Sequence, residues 1–349
     1  MYHEPLGLLS GGCAADACAS GFALPLAGGA LAFTAVASHA RGARPRLRSL
    51  DALDATARAS LTAPRSPWAG LELARPRIMG VVNVTPNSFS DGGAYLDPGA
   101  ATAHGLALAA AGADLVDVGG ESTRPGAEAT DEIEERRRVV PVVKALSAQG
   151  VPVSIDSRRA GVMAAALDAG ARVLNDVTAL EGEGSLDLAA RAGVPVILMH
   201  MRGTPRTMQQ DARYDDLLLD VFDYLAARVA ACRDAGIAPD RIAVDPGLGF
   251  AKTADHNLAI LSHLTLFHGL GHPLVVGASR KSFIGRLAAG APAAERLGGS
   301  LAAALHGVAR GAQLVRVHDV RETAQALTIW QAVAAHAPVD LSRPLPGLV

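Results

Sequence analysis

Residues 78–93 read IMGVVNVTPNSFSDGG. The opening run, Ile78–Val84, is dominated by Ile and Val and has no polar alternation until Asn83, as expected of a strand buried on both faces. Thr85-Pro86-Asn87-Ser88 and the Gly92-Gly93 pair then supply loop chemistry. An Ala-rich helical stretch follows at Ala100–Ala111, and a second apolar run at Leu115–Gly119. The same unit recurs outward from there. Further runs lie at Pro152–Asp156, Val173–Val177, Pro195–His200, Ile242–Asp245, Leu274–Ser279 and Leu314–His318. Helical stretches include Asp131–Ala148, Asp215–Ala235 and Ala293–Arg310, with Val320–Ala334 after the last run. Fully apolar strands alternating with helices predict a parallel sheet covered on its outer face. Eight such units without a reversal predict an α/β fold of the closed (β/α)8, or TIM, barrel type.

The barrel is assigned to residues 78–335, leaving an N-terminal extension, 1–77, and a C-terminal tail, 336–349. Within the extension, residues 21–38 read GFALPLAGGALAFTAVAS and carry no charge. Glu4 and Asp16 precede this run where a secretory leader would carry Lys or Arg, and Pro25 and Gly28-Gly29 interrupt it. It therefore reads as two short strands, around 22–27 and 30–36, joined by a Gly-Gly turn. Ala63-Pro64-Arg65-Ser66-Pro67 reads as a linker, and the arginines at 41, 44, 46 and 48 as a solvated surface or a contact with the barrel.

Half of the 349 residues are apolar, enough for a large core. With 32 Lys and Arg against 34 Asp and Glu, the net charge of −2 gives no case for nucleic acid or an anionic membrane as partner. The three cysteines, Cys13, Cys18 and Cys232, make no disulfide scaffold and fit a reducing, cytoplasmic setting. Cys13 and Cys18 have no accompanying Cys or His pair to complete a metal site.

The ends of the runs carry polar residues that a buried strand does not need. They are Asn83; Asp117 and Thr123-Arg124; Asp156; Asn175-Asp176; His200; Asp245; Ser279-Arg280-Lys281; and Arg316 with His318. In a barrel these ends converge on one mouth. A single Asp or Asn at such a place is usually a helix cap, but caps do not account for all of the strand ends at once. Arg124, Arg280, Lys281, Arg316 and His318, with Gly-rich loops, predict a phosphate or diphosphate site. Asp117, Asp156 and Asp245 with Asn175 would repel one another unless they face a ligand rich in N–H donors, such as a fused aminopyrimidine.

Several motifs carry a family resemblance. Asn83-Val84-Thr85-Pro86 with Ser88-Phe89-Ser90-Asp91-Gly92-Gly93, Gly119-Gly120-Glu121-Ser122-Thr123-Arg124-Pro125-Gly126, Asp245-Pro246-Gly247 with Gly249-Phe250, Ser279-Arg280-Lys281-Ser282 and Arg316-Val317-His318-Asp319 closely resemble the dihydropteroate synthases of folate biosynthesis. The resemblance implies a transferase that condenses 6-hydroxymethyl-7,8-dihydropterin diphosphate with para-aminobenzoate, is a sulfonamide target and acts as a homodimer. It implies a pterin pocket of Asp117, Asp156, Asn175, Asp245 and Lys281. It implies a diphosphate site of Asn83, Thr123, Arg124, Arg316 and His318, with Asn83 reaching Mg²⁺. Pro125, Phe250, Lys281 and Ser282 resemble the benzoate wall, and Asp91 the acidic residue of a mobile first loop. Asp91, Lys281, Arg316 and His318 are the residues expected to carry catalysis. Asn87, Leu248 and Ala251 depart from the family pattern, which more often has Asp, Phe and Gly there. A pterin-dependent methyltransferase would have no use for Ser279-Arg280-Lys281 or Thr123-Arg124. A non-catalytic pterin-binding paralogue would be expected to have lost part of the first loop or of the Arg–x–His pair.

Overall fold

The computed structural model describes residues 1–85, 97–122, 126, 129–204, 207–208 and 212–335. The eight expected strands are present as Arg77–Asn83, Leu115–Gly119, Val153–Asp156, Val173–Asp176, Val196–Met199, Ile242–Asp245, Val275–Val276 and Leu314–Val317. They form one parallel sheet whose order, by strand rank, is 6-5-4-3-2-1-8-7. A parallel bridge between Val244 and Leu274 joins strands six and seven and closes the ring.

Helix starts explain part of the polar content between the strands. Asp97, Asp131, Asp216 and Thr253 each accept a hydrogen bond from a backbone N–H of the first turn of the helix that follows. Asp176, at the end of strand four, is also a cap. Its carboxylate accepts from the N–H groups of Thr178 and Leu180 and from the Thr178 hydroxyl. The helix expected over Ala293–Arg310 begins later, at Leu297, after a single 3₁₀ turn at Ala293–Glu295.

Alternation along the strands sorts the core into layers. Residues such as Val118, Ile155, Leu198 and Val244 point outward and are buried under the helices. Met79, Leu115, Val173, Ile197, Ala243, Val275 and Leu314 point inward and make one cluster at the barrel floor. Trp68 completes that cluster: it is fully buried, and its indole N–H donates to the Arg241 carbonyl at 3.1 Å. The floor plug thus comes from the chain just ahead of the first strand.

The extension has strands of its own. Leu24–Pro25 and Leu31–Phe33 pair antiparallel, as the hairpin reading expected, and Leu9–Ser10 adds to them. The turn takes left-handed backbone at Ala27 and Gly28. A β-carbon on Gly28 would lie 2.3 Å from Pro64 Cα, so only glycine fits there. A second sheet pairs Tyr2–Leu6 with Ala35–His39 and then Arg46–Arg48. Arg41 pairs with Asp220 and Asp223 of the barrel helix Leu217–Asp234, whereas Arg44, Arg46 and Arg48 are exposed. Arg65, in the expected linker, is largely buried and donates to the carbonyls of Ser60 and His268. Among the described residues no helix is long and apolar enough to cross a membrane.

Candidate active site

Two residues beyond each floor position the chain faces inward again, now nearer the C-terminal ends of the strands. This step leads from Leu115 to Asp117, from Val173 to Asn175, from Ala243 to Asp245, from Leu314 to Arg316 and from Ser154 to Asp156. The same step from Ile197 reaches Met199, and that from Val275 reaches Gly277. One layer therefore holds three carboxylates, an amide and a guanidinium. Met199 was not singled out by motif, although counting in twos from Ile197 finds it. It continues into an apolar wall with Val177, Met201, Met208, Phe250 and Ala251.

Arg316 lies in that layer and not apart from it at the rim. Its Nε donates to Asp117 Oδ2 at 2.7 Å and its Nη2 to Asp156 Oδ2 at 2.8 Å. Asn175 Nδ2 also donates to Asp117 Oδ2, at 3.1 Å. Asp117 is fully buried, and its Oδ1 has no hydrogen-bond partner. The expectation that the carboxylates need an N–H-rich ligand to offset their repulsion is met here by the guanidinium itself. Burial pushes the Asp156 carboxyl up to about 7 although Arg316 opposes the shift; Asp117, Asp176 and Glu135 act in the same direction as burial. Burial also raises Asp245, whose Oδ1 accepts from the Gly247 N–H at 2.7 Å. Burial alone would lower the pKa of Arg316, but Asp117 and Asp156 reverse this and raise it.

Around this layer lie the other expected groups. Lys281 Nζ sits 4.0 Å from the centroid of the Phe250 ring. A β-carbon on Gly249 would meet Lys281 Cδ at 2.9 Å, so the Gly-rich turn lets the lysine stem pass. Ser282 is exposed at the start of the helix Ser282–Leu287. The Ser279 hydroxyl lies 3.0 Å from His318 Nδ1 and accepts from the His318 N–H. Arg280 points elsewhere, making a two-point contact with Asp319 at 3.0 and 2.5 Å. Glu121 is held by Arg158 and Arg159. Asp91, Thr123, Arg124 and Pro125 lie outside the described residues, as does Asn87.

His200, at the end of strand five, does not serve the mouth. It is 1% exposed, lies edge-on to Tyr224 and has Lys252 Nζ 2.9 Å from its Nδ1. Burial and that lysine hold it down to about 2. Lys252 also donates to the Phe250 carbonyl at 3.0 Å, so it braces the wall residue from behind. Ala251 has φ of 49°, a left-handed backbone that disfavours a β-carbon by about 1–2 kcal/mol, which accounts for the glycine common at this place in the family. Leu248, at another of the departures, is buried in the core.

Residues 79–318 match the family model described as pterin binding enzyme. The chain is 51% identical over 267 residues to dihydropteroate synthase of Neisseria meningitidis serogroup B, covering 75% of this chain and 94% of that protein. The dihydropteroate synthase of Xanthomonas albilineans solved with 4-aminobenzoic acid superposes with a TM-score of 0.72 at 50% identity, covering 77% of this chain and 96% of that one. The same enzyme in complex with 7,8-dihydropteroate gives 0.69 at 47% identity, covering 77% and 97%. The inward layer, the Lys281 and His318 surroundings and these likenesses agree: the chain belongs to the pterin-binding enzyme family, among its dihydropteroate synthases.

Proposed function

We propose that the chain condenses 6-hydroxymethyl-7,8-dihydropterin diphosphate with para-aminobenzoate, giving 7,8-dihydropteroate and diphosphate as a transferase of folate biosynthesis. The observation that carries the pterin seat is Asp117 Oδ1, a buried carboxylate oxygen left without a donor. Such an atom is costly unless a ligand supplies the missing N–H, and the amidine-like edge of a pterin presents parallel donors.

In this reading Asp117, Asp156, Asn175 and Asp245 hold the ring, and ring binding takes over the carboxylates that Arg316 occupies. Arg316 is then free to turn its planar fork to the leaving diphosphate beside His318. The C–O bond to diphosphate breaks, the arylamine nitrogen bonds to the CH₂ group, and the amine gives up one proton. The amine is already unprotonated at neutral pH, so no strong base is required, and stabilising the leaving anion is the main task. Lys281, whose ammonium lies above the Phe250 ring, would bridge pterin and benzoate in this reading. By the family resemblance, Ser282 and Pro125 would belong to the benzoate wall, Thr123 and Arg124 would hold diphosphate oxygens, and Asp91 would be the acidic residue of the first loop.

The residues fit Mg²⁺. A β-carbon on Gly119 would sit 3.7 Å from Asn83 Oδ1 and 3.6 Å from Asp156 Oδ2, so these two hard oxygens pack against the same glycine. Asn83 would hold the ion, which would supply charge neutralisation at the leaving group. Homodimerisation is supported by exposed Ile329 and Val333, four residues apart on the last helix. Free Cys13, Cys18 and Cys232 support a reducing cytoplasmic setting.

The experiment is release of inorganic diphosphate from the pterin diphosphate. Release that requires para-aminobenzoate, and that falls in chelator and returns with Mg²⁺, is expected. Release at the same rate without para-aminobenzoate would make the chain a hydrolase and overturn the proposal.

A further inference from the structure

We propose that Glu4, His39 and His263 form a binding site for a divalent transition metal of the zinc class, tying the N-terminal extension to the barrel. In the first sheet of the extension Glu4 stands opposite Ala37, so His39 is its diagonal neighbour on the same face. His263 closes the barrel helix Ala254–Ser262. Two extension strands and one barrel helix thus deliver one side chain each to a single point.

Glu4 Oε2 lies 2.8 Å from His39 Nε2, and His263 Nδ1 lies 3.0 Å from both oxygens of Glu4. The candidate ligand atoms all lie within 4.8 Å of one another. Glu4 and His39 are 2% and 5% exposed. The His263 side chain is 41% exposed, which leaves an access route and room for a water as fourth ligand. Two imidazoles and one carboxylate with an open position is a donor set that zinc accepts. Mg²⁺ and Ca²⁺, which want oxygen ligands in greater number, are disfavoured. Zinc bonds of 2.0–2.1 Å at tetrahedral angles would separate the ligand atoms by about 3.3 Å. Each observed contact has to open by only a few tenths of an ångström, within reach of side-chain rotation. The Thr265 hydroxyl, 3.5 Å from Glu4 Oε1, stands where an outer partner would orient the carboxylate.

Electrostatics supports the assignment: a buried carboxylate needs a compensating charge, and a divalent cation bound to Glu4 supplies one. The site lies on the seam between the extension and the barrel helix Ala254–Ser262, and none of its residues is among the strand-end groups Asn83, Asp117, Asp156, Asn175, Asp245 and Arg316.

The test uses the full-length protein stripped with chelator. Titration with Co²⁺ is expected to give a visible d–d band of four-coordinate intensity at one equivalent, and Zn²⁺ is expected to displace it and raise the melting temperature. His263→Ala, a change at a partly exposed position that the barrel tolerates, is expected to abolish the band and weaken Zn²⁺ binding by at least about a hundredfold. His39→Ala, on the extension side, is expected to do the same. Absence of a band in the wild-type protein overturns the proposal and leaves an ion-paired cluster. So does a band that survives both substitutions, which would place the metal elsewhere.

Discussion

Arg316→Ala tests how the carboxylate layer is held before substrate arrives. Arg316 makes contacts of 2.7 and 2.8 Å to Asp117 and Asp156, and the Asp117 side chain is 0% exposed. Alanine leaves Asp117 with the Asn175 amide and leaves Asp156 facing it without the guanidinium. Removing one partner of a buried pair typically costs about 3–5 kcal/mol. At roughly 2–4 °C per kcal/mol for a domain of this size, the melting temperature should fall by about 6–20 °C. The loss should depend on pH. Burial has already raised Asp156 from 3.8 to about 7, so its contribution to stability is fully present below about 3.8 and lost as pH rises through about 7. Without the guanidinium its folded pKa rises further, and the gap between wild type and variant should widen from pH 5 to pH 8. Binding should divide in a particular way. The bare pterin no longer has to displace the arginine fork, so its affinity should be retained or improved. Inorganic diphosphate should bind more weakly by about 2–4 kcal/mol. Thermal melts across pH and calorimetric titration of each ligand read these effects. A variant that melts like wild type, or that loses the bare pterin while keeping diphosphate, would refute the reasoning.

Three further outcomes follow from the floor and the seam. Trp68→Ala should lower stability by about 3–5 kcal/mol through the cavity it leaves, with little change in turnover by the folded protein. Deleting residues 1–65, which keeps Trp68, should leave a folded barrel with measurable turnover, whereas deleting 1–70 should not fold as well; calorimetry and activity on both truncations check this. In chelator, the docking of the extension should be strongest between about pH 4.5 and 6.5. Glu4, held down to about 2 against burial by His263 and His39, contributes above 4.5 and loses that contribution as pH falls. His263, raised by its bond to Glu4 although burial opposes this, contributes below 6.5 and loses that contribution as pH rises through its folded value. Limited proteolysis of the extension across pH reads this window, and equal protection at pH 5.5 and 8.5 would contradict it.

The strand runs gave away the barrel because local periodicity encodes it: uninterrupted Val and Ile runs are incompatible with a sheet open to water on one face. The hairpin was legible from Gly28-Gly29 for a similar reason, since a turn needs left-handed backbone there. The inward-facing layer of Asp117, Asp156, Asn175 and Asp245 was legible because polar side chains inside apolar runs have few structural uses. What was hidden depended on contacts far apart in sequence. The 199-residue step from Asp117 to Arg316 is invisible to spacing, so the sequence places Arg316 with the diphosphate group alone, whereas its head lies among the carboxylates. Trp68, one residue past the expected linker at 63–67, has nothing local that marks it as the floor plug. Asp176 and His200 shared the strand ends with the site residues, yet one caps a turn and the other packs behind the wall. Type and position alone could not separate them from Asn175 and Met199; facing direction could, once the alternation was counted from the floor.

The account rests on Asp117 Oδ1 as the atom that receives the pterin. Asp117→Asn keeps the shape and removes the charge and one acceptor. Calorimetric titration of the wild-type and Asp117→Asn proteins with 6-hydroxymethyl-7,8-dihydropterin lacking its diphosphate isolates that contact. A hydrogen bond to a charged group is worth about 1.5–3 kcal/mol, so the affinity should fall by about 10- to 150-fold while diphosphate binding is unchanged. Equal pterin affinity in the two proteins would contradict the account.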